Sequence, residues 1–287
     1  MISLREWERG GTFTTLHGHR LFCREGGVVS RPALVLLHGF PTSSWDFEAI
    51  WAQLTEHYQV ITLDLVGSGF SDKPTHFSYA IREQAELVEL RLRELGVTGY
   101  HLLAHDYGDT VAQELLARDT PNPRLRSVCF LNGGLFPETH RALTIQKLLL
   151  SPLGRFIARL TNRARFEQSL RMVFGPRTPP SPEFLEGHWA LLERAGGLRV
   201  MPQLLTYIPQ RVTYRERWVG AMQHTRVPLK LIDGAADRIS GSHMAARYRE
   251  VVPSADVTLL ESIGHYPQVE APQAVLEAYL QFRRVAT

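Results

Sequence analysis

Cysteine is scarce in this chain: Cys23 and Cys129 are the only two, and they are far apart. That excludes a disulfide framework and a thiolate metal site, and a reducing compartment is the expectation. Long apolar runs are also missing. The opening stretch "MISLREWERGGTF" has no run suited to a signal peptide, and no segment approaches the roughly 20 apolar residues of a membrane span. We therefore expect a soluble, cytoplasmic protein with no membrane span. Charge is not concentrated either. The 32 basic residues behind the net charge of +3 are spread along the sequence, most densely at Arg211, Arg215 and Arg217, so no nucleic-acid footprint is expected. Repeats and low-complexity tracts are absent.

What is present is alternation. "ALVLLHG", "YQVITLD", "YHLLAHD", "LRSVCFLN", "VPLKLID" and "DVTLLES" are short apolar runs, the pattern of strands buried on both faces. Helical patterns lie between them at Asp46–Glu56, Ser78–Leu95, Tyr107–Ala117, Ser242–Glu250 and Pro272–Phe282. Strand and helix in alternation specify an α/β fold, a mostly parallel sheet covered by helices. From Gly133 to about Trp218 the alternation stops, and the segment is rich in Leu, Arg and Pro. We expect a core formed by residues 1–134 and 219–287, with residues 135–218 inserted as a helical cap. With 287 residues and 44% hydrophobic content, one such domain can bury a large core.

"LLAHDYGDTVAQELL" carries Asp106 at the join of a strand and a helix, with Ala104 and Gly108 two residues to either side. This spacing is that of a nucleophile elbow, with alanine for the first glycine and aspartate for serine. The other reading of Asp106 is a helix N-cap. Three further pieces favour a site. "LLHGFPTSSW" brackets Phe40 between Gly39 and Pro41 in a tight loop whose backbone N–H suits an oxyanion. "LDLVGSGFSDKP" ends the next strand in a glycine-rich turn. "DGAADRIS" and "SIGHYPQVEAP" place an acid after one strand and a histidine after the next, the chain order of a hydrolase triad.

Through "HGFPTSSWDF", "GFSDKP", "HDYGDTVAQELL", "NGGLFPETHR" and "RERWVGA", the chain resembles the α/β-hydrolase superfamily, in the aspartate-nucleophile branch of epoxide hydrolases and haloalkane dehalogenases. The likeness runs from about Pro32 to Gln268. It implies Asp106 as nucleophile, His265 as base and Asp237 as the acid orienting it, with Asp233 as rival acid. The backbone N–H groups of Phe40 and Tyr107 would hold the oxyanion. An ionised carboxylate attacks a saturated carbon without a base, whereas attack on a carbonyl would give a mixed anhydride, so an ordinary esterase is disfavoured.

The places where dehalogenases commonly keep halide-binding N–H donors hold Phe40 and Tyr107, which favours an epoxide hydrolase acting on a small apolar or amphipathic molecule. Such enzymes use cap tyrosines as proton donors; here Tyr207 leads and Tyr214 is the reserve, with none from Gly133 to Thr206. The alternatives are a haloalkane dehalogenase with an unusual halide site and a catalytically silent ligand-binding or signalling protein. No cofactor is expected. His105 and Asp109 are expected to turn away from the crevice, His105 supporting loops behind it, while Trp189 and Trp218 pack the cap. His17 and His19 alternate as on an exposed strand face, with no further ligand to suggest a metal.

Overall fold

The computed structural model describes residues 2–119 and 123–285. Eight strands form one sheet: β1 (Gly11–Leu16), β2 (His19–Gly26), β3 (Ala33–Leu37), β4 (Gln59–Leu63), β5 (Tyr100–His105), β6 (Leu125–Leu131), β7 (Leu229–Gly234) and β8 (Asp256–Leu260). Their order is β1-β2-β4-β3-β5-β6-β7-β8. The six strands expected from the apolar runs are parallel, and β1 and β2 add an antiparallel edge.

The apolar runs are continuous because both sheet faces are covered. Along β5, Leu102 and Ala104 enter one core while Leu103 enters the other; along β6, Val128 and Phe130 alternate with Cys129 and Leu131 in the same way. A period-2 strand buried on both sides leaves few positions for a polar side chain.

Six helices pack around the sheet and at its N-terminal edge: α1 (Leu4–Arg9), α2 (Glu48–His57), α3 (Ile81–Glu94), α4 (Tyr107–Arg118) and, later, α12 (Ser242–Val251) and α14 (Pro272–Val285). Between β6 and β7 the chain is helical: α5 (Thr144–Leu149), α6 (Gly154–Arg159), α7 (Arg163–Arg171), α8 (Pro182–Glu193), α9 (Met201–Leu204), α10 (Tyr207–Thr213) and α11 (Arg215–His224). A short α13 (Pro267–Glu270) follows the last strand. Among the described residues no helix is long and apolar enough to cross a membrane.

One expectation changes. His17 and His19 do not share a strand face: Leu16 pairs with His19, and His17 (φ 48°) and Gly18 (φ 79°) form the two-residue turn between β1 and β2. Positive φ at both central residues suits the twist of a tight hairpin, which the "HG" pair supplies. Among the described residues no group of three or more metal-ligating side chains occurs.

Strand order explains where a ligand goes. From β3 the chain steps to β4 on one side, then crosses to β5 on the other, so the loops leaving β3 and β5 part and open a crevice at the carboxyl ends of these strands. Phe40 follows β3 and Asp106 follows β5.

Candidate active site

Asp106 sits at φ 46° and ψ −101°, between the last residue of β5 and the first of α4. Such a backbone costs a non-glycine residue on the order of 1–3 kcal/mol and needs outside support. The Asp106 N–H donates to Leu131 O at 3.2 Å, and the Arg211 guanidinium donates to Asp106 O at 3.0 Å. The small neighbour is required: a Cβ at Gly108 would stand 2.5 Å from Leu37 O, so only glycine lets α4 descend onto the end of β3. Gly39 is similarly tight, its imagined Cβ 2.6 Å from the His105 ring and 3.1 Å from the Asp106 Cβ.

The carboxylate is buried with its two oxygens in different surroundings. Oδ2 accepts from the Phe40 N–H at 3.1 Å and lies 4.0 Å from His265 Nε2. Oδ1 lies 3.7 Å from Arg211 Nη2. The Tyr107 N–H is the first of α4 and has no acceptor within the helix. Of the two donors named from the sequence, the Phe40 N–H is engaged by the Asp106 carboxylate, and the Tyr107 N–H opens α4 directly after it.

His265 Nδ1 bonds to Asp237 Oδ2 at 2.7 Å. Burial alone would lower the imidazole's pKa, but the charge and hydrogen bond of Asp237, then the charge of Asp106, raise it to about 9. Asp237 also accepts from the N–H groups of Ile239 (2.8 Å) and Ser240 (3.1 Å), the Ser240 hydroxyl (2.8 Å) and the Asn132 amide (3.2 Å). Burial opposes ionisation, yet His265 and these donors hold the Asp237 carboxyl down at about 2. Asp233 is buried with no hydrogen bond from either oxygen among the described residues. Burial, then the Asp237 charge, push its pKa well above the carboxylate range. The structure joins His265 to Asp237 and not to Asp233.

The tyrosines separate. Tyr207 is fully buried, its ring edge-on to Tyr107 at 5.0 Å and tilted against Phe40 at 6.5 Å. Its hydroxyl has no hydrogen bond of ordinary geometry; burial, followed by the nearby Asp106 charge, pushes its pKa well up and keeps it protonated. Tyr214 is not brought in: it packs against Trp218 at 5.3 Å, beyond the C-terminus of α10.

The flanking residues behave as expected. His105 Nε2 bonds to His265 O at 2.7 Å, and burial followed by the His265 charge lowers its pKa to about 4, so the neutral ring braces the loop carrying His265. Asp109 is buried on α4, and burial followed by the Asp106 charge raises its pKa well above the usual value. The Trp218 indole donates to Glu114 at 2.7 Å and Trp189 packs on Phe166 at 5.6 Å, so neither reaches Asp106.

Sequence reading missed Arg211 and Asn132. Arg211 was visible only as one of several basic residues, although it stands four positions after Tyr207, one helical turn along the same face. It donates to the Thr110 hydroxyl at 2.8 Å as well as to Asp106 O, and its guanidinium carbon lies 4.5 Å from the Tyr207 ring centre. Asn132 follows β6 at φ 42°; its amide oxygen accepts from Gly234 N–H at 2.8 Å, tying the end of β6 to that of β7, which leads to Asp237.

Above Asp106 is a cavity of about 350 Å³, lined by Phe40, Asp106, His265 and Tyr266 below and chiefly by apolar side chains of α5–α7 above, Leu149, Ile157, Phe166 and Leu170 among them. Its volume and mostly apolar lining are those of a small-molecule pocket.

Comparison with known proteins agrees with this architecture. The sequence pattern of the alpha/beta hydrolase family matches residues 34–278. The mesoderm-specific transcript homolog protein of Bos taurus is 45% identical, covering 98% of this chain and 88% of that protein. A putative hydrolase, LipZ, of Mycobacterium tuberculosis is 38% identical over 97% of each. Among solved structures, a haloalkane dehalogenase, DbeA, from Bradyrhizobium elkani superposes with a TM-score of 0.80 at 23% identity, covering 96% of this chain and 98% of that one. A putative lipase from Acinetobacter baumannii gives 0.82 at 22% identity, covering 99% and 94%. Strand order, elbow and sequence pattern converge, and the chain belongs to the alpha/beta hydrolase family.

Proposed function

We propose that this hydrolase opens an epoxide to a diol through a covalent ester on Asp106. The observation that carries the reading is a buried carboxylate, in place of a hydroxyl, at the strained elbow, with His265 and Asp237 aligned behind it. Asp106 Oδ1 attacks an epoxide carbon; the C–O bond breaks and the oxygen takes the Tyr207 proton. Oδ2, on the Phe40 N–H, becomes the ester carbonyl oxygen. His265 Nε2 then deprotonates a water that attacks the carbonyl carbon of Asp106, and the N–H groups of Phe40 and Tyr107 hold the oxyanion. Collapse releases the second alkoxide, which takes the proton from His265. The regenerated carboxyl returns the remaining proton to the Tyr207 phenolate. Epoxide and water are consumed and diol is formed, with no cofactor in the balance.

The cap reading follows from the same site: residues 135–218 supply Tyr207 and most of the cavity roof, so this segment would set substrate shape.

Arg211 favours a second reading. Its Nη1 is buried without a hydrogen bond among the described residues, and a guanidinium 3.7 Å from Oδ1 suits a departing halide. Haloalkane dehalogenation by the same ester is that alternative. Purified protein incubated with an epoxide panel and a haloalkane panel, with diol and halide measured in parallel, decides between them. Diol alone supports the proposal; halide alone replaces it with the second reading; neither product from any member favours a silent binding protein.

A further inference from the structure

The helices that roof the cavity also carry an unusual outer surface. Leu148, Leu153, Phe156 and Leu160 are 47%, 66%, 60% and 51% exposed, which places four large apolar side chains in solvent within thirteen consecutive residues. At 3.6 residues per turn, Leu153, Phe156 and Leu160 align along one side of α6. Gly154 and Ala158 lie buried on the other, and Ile157, between the two, lines the cavity. The apolar stripe and the cavity wall are adjacent faces of one helix. Arg165 and Gln168 of α7 line the cavity and are themselves exposed, so the cavity reaches the surface beside the stripe.

The charge around the stripe is one-sided. Residues Thr144 to Val173 contain six basic side chains and one acidic one, net +5, while the whole chain carries +3, so the remainder of the molecule carries −2. Arg163 and Arg171 share Glu167. Lys147, Arg155 and Arg159 are exposed and make no ion pair among the described residues, and Arg155 and Arg159 flank the apolar stripe. Apolar side chains that need cover, rimmed by unpaired cations, match the two attractions of a peripheral membrane surface: acyl-chain burial and anionic headgroups. A second copy of this face would bring like charge against like.

We propose that the α5–α7 surface docks on an anionic lipid bilayer, inserting Leu153, Phe156 and Leu160 and setting the cavity mouth against the membrane. A lipophilic substrate then enters from the bilayer without crossing water. The docking deepens the proposed reaction by naming a membrane-dissolved substrate class, but it rests on the surface alone and is read without turnover, so either can fail while the other stands.

Flotation of the purified full chain with vesicles of phosphatidylglycerol and phosphatidylcholine in equal parts, and with phosphatidylcholine alone, tests it. The chain is expected to float with the anionic vesicles, weakly with the neutral ones, and less as salt rises. The Leu153→Ser/Phe156→Ser and Arg155→Glu/Arg159→Glu variants are each expected to lose roughly tenfold or more of the binding with unchanged thermal midpoints. Val29→Ser, which alters an exposed valine outside the stripe, in the loop before β3, is expected to bind as wild type. No preference for anionic vesicles, or binding undiminished in both double variants, overturns the proposal. So does a lipid-free dimer, seen by sedimentation, that Leu153→Ser/Phe156→Ser dissolves, because the face would then join two copies of the chain.

Discussion

The Arg211 guanidinium lies 3.7 Å from Oδ1 of Asp106 and donates to the Asp106 carbonyl at 3.0 Å, with both side chains buried. One side chain thereby balances the carboxylate charge and clamps the strained backbone that presents it. Arg211→Leu leaves a buried carboxylate without this counter-charge and frees the elbow. Loss of one partner of a buried pair typically costs about 3–5 kcal/mol, and urea unfolding should show a loss of that order. Arg211→Lys should recover only part of it, because an ammonium cannot span Thr110 and Asp106 as the planar fork does. Unchanged stability in Arg211→Leu would show that the clamp is not needed.

His265→Gln should trap the ester. Attack by Asp106 does not require the imidazole, but hydrolysis does, so an adduct should accumulate on the peptide containing Asp106. Peptide mass spectrometry after mixing with a turned-over epoxide reads this directly; an adduct on another residue would refute the mechanism.

The His265 pKa of about 9 is raised partly by the Asp106 charge, and esterification removes that charge. The imidazole should therefore lose its proton more easily in the intermediate than in the free enzyme. Single-turnover ester hydrolysis should rise with pH along a limb whose midpoint lies below 9, while titration of free His265 by NMR gives the higher value. The same shift affects stability. A raised pKa contributes stability that is fully present below the unfolded value of 6.5 and is lost as pH rises through 9. The difference in urea midpoint between wild type and His265→Gln should narrow over that interval.

Asp237→Asn should lower ester hydrolysis strongly, since an amide cannot stabilise the imidazolium. Asp233→Asn should change it little, because Asp233 makes no hydrogen bond to His265 and burial already favours its neutral form. Steady-state rates of the two variants test the pair; the reverse order would exchange their roles.

Tyr207→Phe should slow alkylation of Asp106 by about 100- to 10,000-fold, the usual effect of losing a positioned acid, and leave hydrolysis of a preformed ester nearly unchanged. Tyr214→Phe should do neither, given its place on Trp218 away from the carboxylate. Rapid-quench measurement of the two half-reactions separates these effects.

Local pattern was enough for the parallel strands, the elbow around Asp106 and the loops carrying Phe40, Asp237 and His265, because burial on both sheet faces and tight turns write themselves into neighbouring residues. "ALVLL" is apolar throughout, and in "YHLLAH" Tyr100, Leu102, Leu103 and Ala104 each meet a core. Gly108 is forced by the approach of the Leu37 backbone and Gly39 by the His105 ring. Other relationships join residues far apart in the chain. Arg211 is 105 residues from Asp106, and Asn132 is 105 from Asp237. Their partners are chosen by how α10 packs over α4 and by how the ends of β6 and β7 meet, which no local periodicity records. The different surroundings of Tyr207 and Tyr214 have the same origin. Seven residues apart on one short run, they differ in what the helices of that segment pack them against, and tertiary packing set Tyr207 on Phe40 and Tyr107 and left Tyr214 on Trp218.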